Sequence, residues 1–231
     1  MIIDKMEQSL RPVETLMPPY PAKYMTMASG EKMVVHQVER ESVPHLLEAV
    51  KPLMTVEKDF YDIVASRIYS ELLGWRRYRV KDEYCLVGTI DGVLVGLVNG
   101  RMLDDRVGMS YHTMALRRGL RIGAQLFAAK MEYHFDFLGQ QEVWIVAESP
   151  IGFKRWMIEY ELESHPEHWH ELGGVPTYVL TRALWEKHKP AKCGGRRPVS
   201  EEMLETARRM ILPSTYVQIP GYKREKGAEA V

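Results

Sequence analysis

Three consecutive segments with the composition of β-strands constrain the fold of this chain most strongly. Residues 84 to 90 (YCLVGTI) and 93 to 98 (VLVGLV) are rich in β-branched residues, and Asp91-Gly92 between them is a signal for a tight hairpin. Residues 107 to 116 (VGMSYHTMAL) follow a turn-like LDDR. The pattern predicts three short strands, of which the first two pair antiparallel.

The third strand leads directly into a loop with two glycines and three arginines, RRGLRIGAQL at residues 117 to 126. Apolar residues then recur at spacings of three and four, which predicts a helix to about residue 138. A short apolar run at residues 142 to 147 (EVWIVA) is typical of a buried parallel strand. Such a strand–loop–helix–strand unit is suited to binding an anion at the N-terminus of its helix.

The flanking sequence predicts a further strand at 32 to 38 and helices at 42 to 50 and 57 to 73, the second ended by Gly74. Beyond the parallel strand, we predict a helix at 151 to 159, strands at 161 to 172 and 177 to 184, a basic linker from 187 to 198, and an amphipathic helix at 201 to 212. The chain is therefore expected to consist of an irregular N-terminal arm (1–31), one domain (32–185), and a basic linker with a C-terminal helix and tail (186–231).

Composition argues against several classes of partner. Lys plus Arg equals Asp plus Glu at 31 each, so the net charge gives no general attraction to nucleic acid or to an anionic membrane. The chain has two cysteines, no secretory signal, and no apolar run near the roughly 20 residues needed to span a bilayer. We expect a cytoplasmic protein without a membrane or nucleic-acid partner.

The order of elements resembles the GNAT superfamily of acyl-CoA-dependent N-acyltransferases over residues 32 to 185. The loop RGLRIGAQL is similar to the pyrophosphate loop of that family and departs from it at Arg121, where the family has glycine. The resemblance implies an α/β (α+β) fold: a mixed, mostly antiparallel sheet with helices on both faces and a splayed parallel strand pair. It also implies transfer of an acyl group from acetyl-CoA or another acyl-CoA to a primary amine, on a small molecule or a protein.

The cofactor site is expected on the loop and on the strand before it. Glycines at 119 and 123 allow a diphosphate to approach main-chain N–H groups, and the resemblance implies that backbone groups of the strand hold the pantetheine arm. The other interpretation of the loop is a basic helix cap without a ligand. The predicted cofactor residues are Thr113, Met114, Ala115, Arg118, Gly119, Leu120, Arg121, Ile122, Gly123 and Ala124.

Acyl transfer to an amine needs a proton acceptor and a donor to the leaving thiolate. His112 has the right ordinary pKa for a base, and Glu148 follows the parallel strand. The resemblance places a tyrosine acid where this chain has Trp156, so Tyr160, one helical turn later, is the substitute. Each residue also has a purely structural interpretation: a packed histidine, a carboxylate at a helix N-terminus and a core aromatic. The alternative function is a non-catalytic CoA-binding regulatory or interaction protein.

Two other sequence features carry weaker hypotheses. In the run HPEHWH at 165 to 170, a strand would place His168 and His170 on one face and His165 on the other, and no cysteine lies nearby. We therefore expect no metal site. The apolar face of the helix in the basic tail predicts docking onto the domain or onto a second copy, which would give a homodimer.

Overall fold

The computed structural model describes residues 2–13, 15–80 and 82–216. Eight strands form one sheet in the order β1-β2-β3-β4-β5-β6-β8-β7. The strands are β1 (Lys23–Thr26), β2 (Lys32–Gln37), β3 (Glu83–Ile90), β4 (Val93–Met102), β5 (Val107–Ala115), β6 (Glu142–Ile145), β7 (Glu163–Ser164) and β8 (Tyr178–Thr181).

The sheet is mostly antiparallel, as predicted. Strands β1 to β5 pair antiparallel in chain order, β5 and β6 pair parallel, and β8 pairs antiparallel with both β6 and β7. The hairpin between β3 and β4 turns at Asp91 and Gly92, which take φ values of 50° and 77°. Positive φ at both central residues is what the tightest hairpin turns require, and it explains the Asp-Gly signal.

Helices cover both faces of the sheet. On one face, α2 and α3 pack against Cys85, Val87 and Leu97. On the other face, α4 packs against Leu86 and Val98, because neighbouring residues of a strand point to opposite sides. The helices are α1 (Ile2–Ser9), α2 (Val43–Val50), α3 (Tyr61–Arg76), α4 (Ile122–Glu132, followed by a π turn to Phe137), α5 (Pro150–Gly152, continued by a π turn to Ile158), α6 (Arg182–Lys192) and α7 (Glu201–Arg208).

Several sequence predictions are wrong in detail. The helix predicted at 57 to 73 starts at Tyr61, because Asp59 and Phe60 have left-handed φ of 57° and 58°, and it runs through Gly74 to Arg76. Most of the strand predicted at 161 to 172 is irregular. It contains Pro166, and the chain turns where His168 N–H donates to the His165 carbonyl.

The two ends of the chain contain more structure than predicted. The arm predicted to be irregular includes α1 and β1, and β1 pairs with β2 as an edge of the sheet. Helix α6 occupies much of the predicted basic linker; the Thr181 side chain caps it, and Trp185 is fully buried. The last predicted helix ends at Arg208, and the predicted tail from residue 217 onward lies outside the described residues. Within the described part, no helix combines the length and apolarity needed to cross a membrane.

Candidate active site

The parallel pair β5 and β6 separates to form a cleft. The two strands pair only from Val107 with Glu142 to Ser110 with Ile145, whereas β5 continues to Ala115. Residues 110 to 113 and 145 to 149 line the resulting wedge, which is part of a cleft with a volume of about 320 Å³. This is the splayed parallel pair that the family resemblance implied.

The cleft continues into the loop between β5 and α4. Gly119 and Arg121 have φ values of 94° and 58°, and the first helical hydrogen bond runs from the Gln125 N–H to the Arg121 carbonyl. Within the described chain, the backbone N–H groups of residues 118 to 124 donate to no other protein group. A helix N-terminus with free donors attracts an anion.

The arginines at the mouth of the cleft each have a carboxylate nearby. Arg117 pairs with Glu31 at 2.8 Å. Arg118 donates to Asp59 at 2.6 Å and packs over the Tyr61 ring. Arg121, which is mostly exposed, lies 3.9 Å from Glu159. Its φ of 58° is in the left-handed region, which costs a non-glycine residue about 1 to 2 kcal/mol.

Gly123 lies in the first turn of α4 and lines the cleft. A Cβ at this position would lie 3.8 Å from Thr113 Cγ2 and 3.9 Å from Ala115 Cβ, which is ordinary van der Waals contact. The protein alone therefore tolerates a methyl group here. A larger side chain at residue 123 would instead obstruct a ligand that approaches the N-terminus of α4.

Most of the predicted cofactor residues line this cleft. Two of them do not line it: the Met114 side chain belongs to the core under α2 and α3, and Leu120 packs against the core on the α4 side. The residues that line the cleft are Thr113, Ala115, Arg118, Gly119, Arg121, Ile122, Gly123 and Ala124.

His112 lies between two carboxylates at the inner end of the cleft. Its Nδ1 is 2.5 Å from Glu148 Oε2, and its Nε2 is 2.9 Å from Glu71 Oε1. The side chain is fully buried. Burial alone lowers the pKa of His112, but the charges and hydrogen bonds of Glu71 and Glu148 outweigh it and raise the pKa to about 9. His112 is therefore an imidazolium at neutral pH and not a free base.

Glu148 is the carboxylate of this group that faces the cleft. It pairs with Arg67 as well as with His112, and 10% of its side chain is exposed. Burial raises the pKa of Glu148, but the hydrogen bond from His112 and the two nearby cations bring it below its ordinary value. Glu148 is thus ionised and able to accept a proton.

Three polar residues around His112 and Glu148 were not predicted from the sequence. Asn99 donates from Nδ2 to Glu71 Oε2 at 2.8 Å and accepts from the His112 N–H at 3.2 Å. A buried polar residue inside the apolar β4 is a signal that could have identified it. Glu71 and Arg67 are four residues apart on α3, a spacing typical of an exposed helix ion pair.

A buried lysine supports the strands beneath His112. The pairing of β4 and β5 is irregular around Asn99. Lys130 of α4 donates to the His112 carbonyl at 2.9 Å and to the Asn99 carbonyl at 3.3 Å. Burial lowers the pKa of Lys130 to about 7, although the charges of Glu71 and Glu148 oppose the shift. Lys130 thus satisfies backbone carbonyls that the irregular pairing leaves free.

The structure places Tyr160 in the core and not on the cleft. Its ring packs edge-on against Phe127 at 5.4 Å, and burial raises the pKa of its hydroxyl. Trp156 lines the cleft instead, stacked on Phe127 at 4.0 Å, with its ring nitrogen beside Gly152. The position of Tyr160 favours packing over proton donation.

The histidine run does not form the strand face that was predicted. His170 turns inward, with Nε2 3.2 Å from the Ser110 carbonyl. His165, Glu167 and His168 each offer an atom within 4.8 Å of the others. The two imidazole rings, however, stack at 5.3 Å and 12°, so their in-plane lone pairs run side by side and do not converge on one ion. The expectation of no metal site stays a prediction.

Comparisons with known proteins agree with this architecture. No family model matches the chain, and no curated protein matches it. RimJ from Mycobacterium smegmatis, solved with CoA-disulfide, has 11% identity and a TM-score of 0.50 over 76% of this chain and 97% of its own. An uncharacterized Bacillus halodurans protein has 12% identity and a TM-score of 0.50 over 74% of this chain and 95% of its own. A structure described as FdhC, a nucleotide-linked sugar GNAT, has 10% identity and a TM-score of 0.49 over 76% and 96%. Identities this low show the fold alone. The chain has the fold of the GNAT superfamily, as its loop and element order predicted.

Proposed function

We propose that this chain is an N-acyltransferase that moves an acyl group from acetyl-CoA or another acyl-CoA directly to a primary amine. The observation that carries the proposal is the continuity of the wedge with the free amides of residues 118 to 124. A diphosphate and a thioester arm need these two surfaces side by side. The CoA-disulfide in the RimJ neighbour supports the same class of ligand.

In this proposal the diphosphate accepts hydrogen bonds from the loop amides, with the loop arginines adding positive charge. The pantetheine arm lies along β5 at residues 113 to 115, and the thioester reaches toward Glu148. Gly123 leaves room for the ligand over the helix N-terminus. The predicted cofactor residues thus act mainly through their backbone.

Glu148 takes the proton in the proposed reaction. An acceptor ammonium has no lone pair, so it first gives a proton to the ionised carboxylate, directly or through water. The neutral amine then attacks the thioester carbon, and a C–N bond forms. The C–S bond breaks, its electron pair leaves with the CoA sulfur as thiolate, and the thiolate takes the second proton that the nitrogen loses, so the products are an amide and a free thiol. His112 remains charged beside Glu148, and Tyr160 has no part in these reaction steps.

The test is a two-step experiment. Calorimetric titration with CoA comes first, followed by incubation with acetyl-CoA and a panel of primary amines while free thiol is measured. We expect CoA binding, and thiol release that requires both protein and amine. Absence of CoA binding would contradict the proposal.

The alternative of a non-catalytic CoA-binding protein rests on a specific observation. An indole occupies the expected tyrosine position, and the substitute tyrosine lies in the core. Indole N–H can donate a hydrogen bond but cannot supply a proton near neutral pH. CoA binding with no thiol release at any pH or with any amine would favour this alternative.

A further inference from the structure

Glu71 connects the candidate site to the outer side of the fold. It belongs to α3 and does not line the cleft, yet its Oε1 is 2.9 Å from His112 Nε2. The Glu71 side chain is 18% exposed and that of His112 is fully buried. His112 thus separates a cleft carboxylate, Glu148, from one that reaches solvent.

The two contacts of His112 fix the number of protons that the group holds. A ring nitrogen and a carboxylate oxygen at 2.5 or 2.9 Å need a proton between them, because two lone pairs at this distance repel. Two contacts therefore require two protons. With both on the ring, His112 is a cation between two anions, and each carboxylate keeps its charge.

Further contacts hold Glu71 in this position. Its Oε2 accepts from Asn99 Nδ2 at 2.8 Å, and the same amide donates to Glu83 Oε1 at 3.2 Å. Other charged or titratable groups act on this cluster from neighbouring elements. They are Arg67 on α3, Glu83 on β3, Arg101 on β4, Lys130 on α4 and His170 in the loop before β8. None of them contacts a ring nitrogen of His112 within the described part of the chain.

We propose that Glu71 is a positioning residue, which keeps His112 doubly protonated and thereby holds Glu148 ionised and directed into the cleft. The consequence of this role for catalysis rests on the proposed function. The effect of Glu71 on the charges of His112 and Glu148 does not depend on that function. Removing the Glu71 charge should lower the proton affinity of His112 and, through the lost imidazolium, raise that of Glu148.

The test is Glu71→Gln, which keeps an oxygen for the Nε2–H to donate to but removes the charge. NMR titration of labelled histidine and glutamate side chains should show the His112 midpoint falling and the Glu148 midpoint rising, each by about one pH unit or more. The acid limb of turnover should move to higher pH with Glu148, which is about a tenfold loss of rate on that limb. In Glu71→Asp, which retains the charge, the His112 midpoint should stay above its ordinary value and the Glu148 midpoint below its ordinary value.

Glu161→Gln is the matched control. Glu161 is an exposed carboxylate that pairs with Lys187 outside the cleft and has no contact with His112. It should leave both midpoints unchanged. Unshifted midpoints in Glu71→Gln would overturn the proposal, and so would shifted midpoints with a turnover profile that drops equally at every pH. Shifted midpoints in a protein that transfers no acyl group at all would uphold the charge-setting role while rejecting the proposed function.

Discussion

The loop at residues 117 to 124 and the cluster around His112 serve the same cleft but are built in opposite ways. The loop is local in sequence, presents free backbone donors, and carries its arginines at the surface. The cluster takes side chains from α3, β4, β5 and the end of β6, and its polar atoms mostly pair with one another. The first is suited to receive an anion from outside, and the second to hold a fixed pattern of charge.

Substitution of Glu148 should have the largest effect, and it should change turnover, which depends on the cluster, without changing the affinity for CoA, which depends on the loop. Glu148→Gln removes the proton acceptor, so turnover should fall about 10²- to 10⁴-fold. The affinity for CoA should stay within about twofold, because the loop is untouched. Steady-state thiol release and CoA calorimetry measure the two effects.

The control is Glu161→Gln, an exposed carboxylate outside the cleft that pairs with Lys187. It should change neither quantity. An equal loss of CoA affinity and turnover in Glu148→Gln would show that the two regions are not separate.

Removal of His112 should destabilise the fold in a pH-dependent way. His112→Ala leaves Glu71 and Glu148 without their shared cation, at a cost of about 3 to 5 kcal/mol in the free energy of unfolding near pH 6. The pKa of His112 is raised in the folded protein to about 9, so its stabilisation is present below the unfolded value of about 6.5 and is lost as pH rises through 9. Urea unfolding at several pH values should therefore show that the gap in the free energy of unfolding between wild type and variant narrows from pH 6.5 to 9.

The variant His165→Ala, at a partly exposed histidine, is the comparison, and its stability difference from wild type should stay small at every pH. A gap for His112→Ala that stays constant or widens with rising pH would contradict the assigned charge.

Substitution of Arg121 should produce the smallest effect and should act on the loop alone. Arg121→Gly removes a left-handed non-glycine residue, so the free energy of unfolding should rise by about 0.5 to 1 kcal/mol after the added entropy of the unfolded chain. CoA affinity should fall by less than about tenfold, because the lost charge is exposed. Thermal unfolding and calorimetry measure these changes, and a loss of stability would show that the loop is not strained at this residue.

The same contrast explains what the sequence could reveal. The β3–β4 hairpin, the glycine loop and the parallel strand are encoded by neighbouring residues, so their patterns predicted them. Helix α6 was missed because its lysines suggested a solvated linker, whereas Lys189 and Lys192 pair with Asp136 and Glu159. Strand β1 is too short, at four residues, to show a period.

The candidate site was predicted only in its local part. The loop residues were predicted from their glycines and arginines, and the residues of the strand before it from the family resemblance. His112 was predicted from its ordinary pKa and its place before the loop, and Glu148 from its position after the parallel strand. The pairing of His112 with Glu71 joins residues 41 positions apart, which no local pattern encodes. The positive charge of His112, an imidazolium in place of a free base, follows from that contact together with the one to Glu148.

The affinity of Gly123 variants for CoA tests whether the loop amides bind a diphosphate. Gly74→Ala, a helical glycine outside the cleft, is the control, and circular dichroism verifies that each variant is folded. By calorimetry, we predict that Gly123→Ala weakens CoA binding, that Gly123→Val weakens it at least about 100-fold, or about 2.7 kcal/mol, and that the control binds like wild type. Wild-type CoA affinity in a folded Gly123→Val protein would contradict the account.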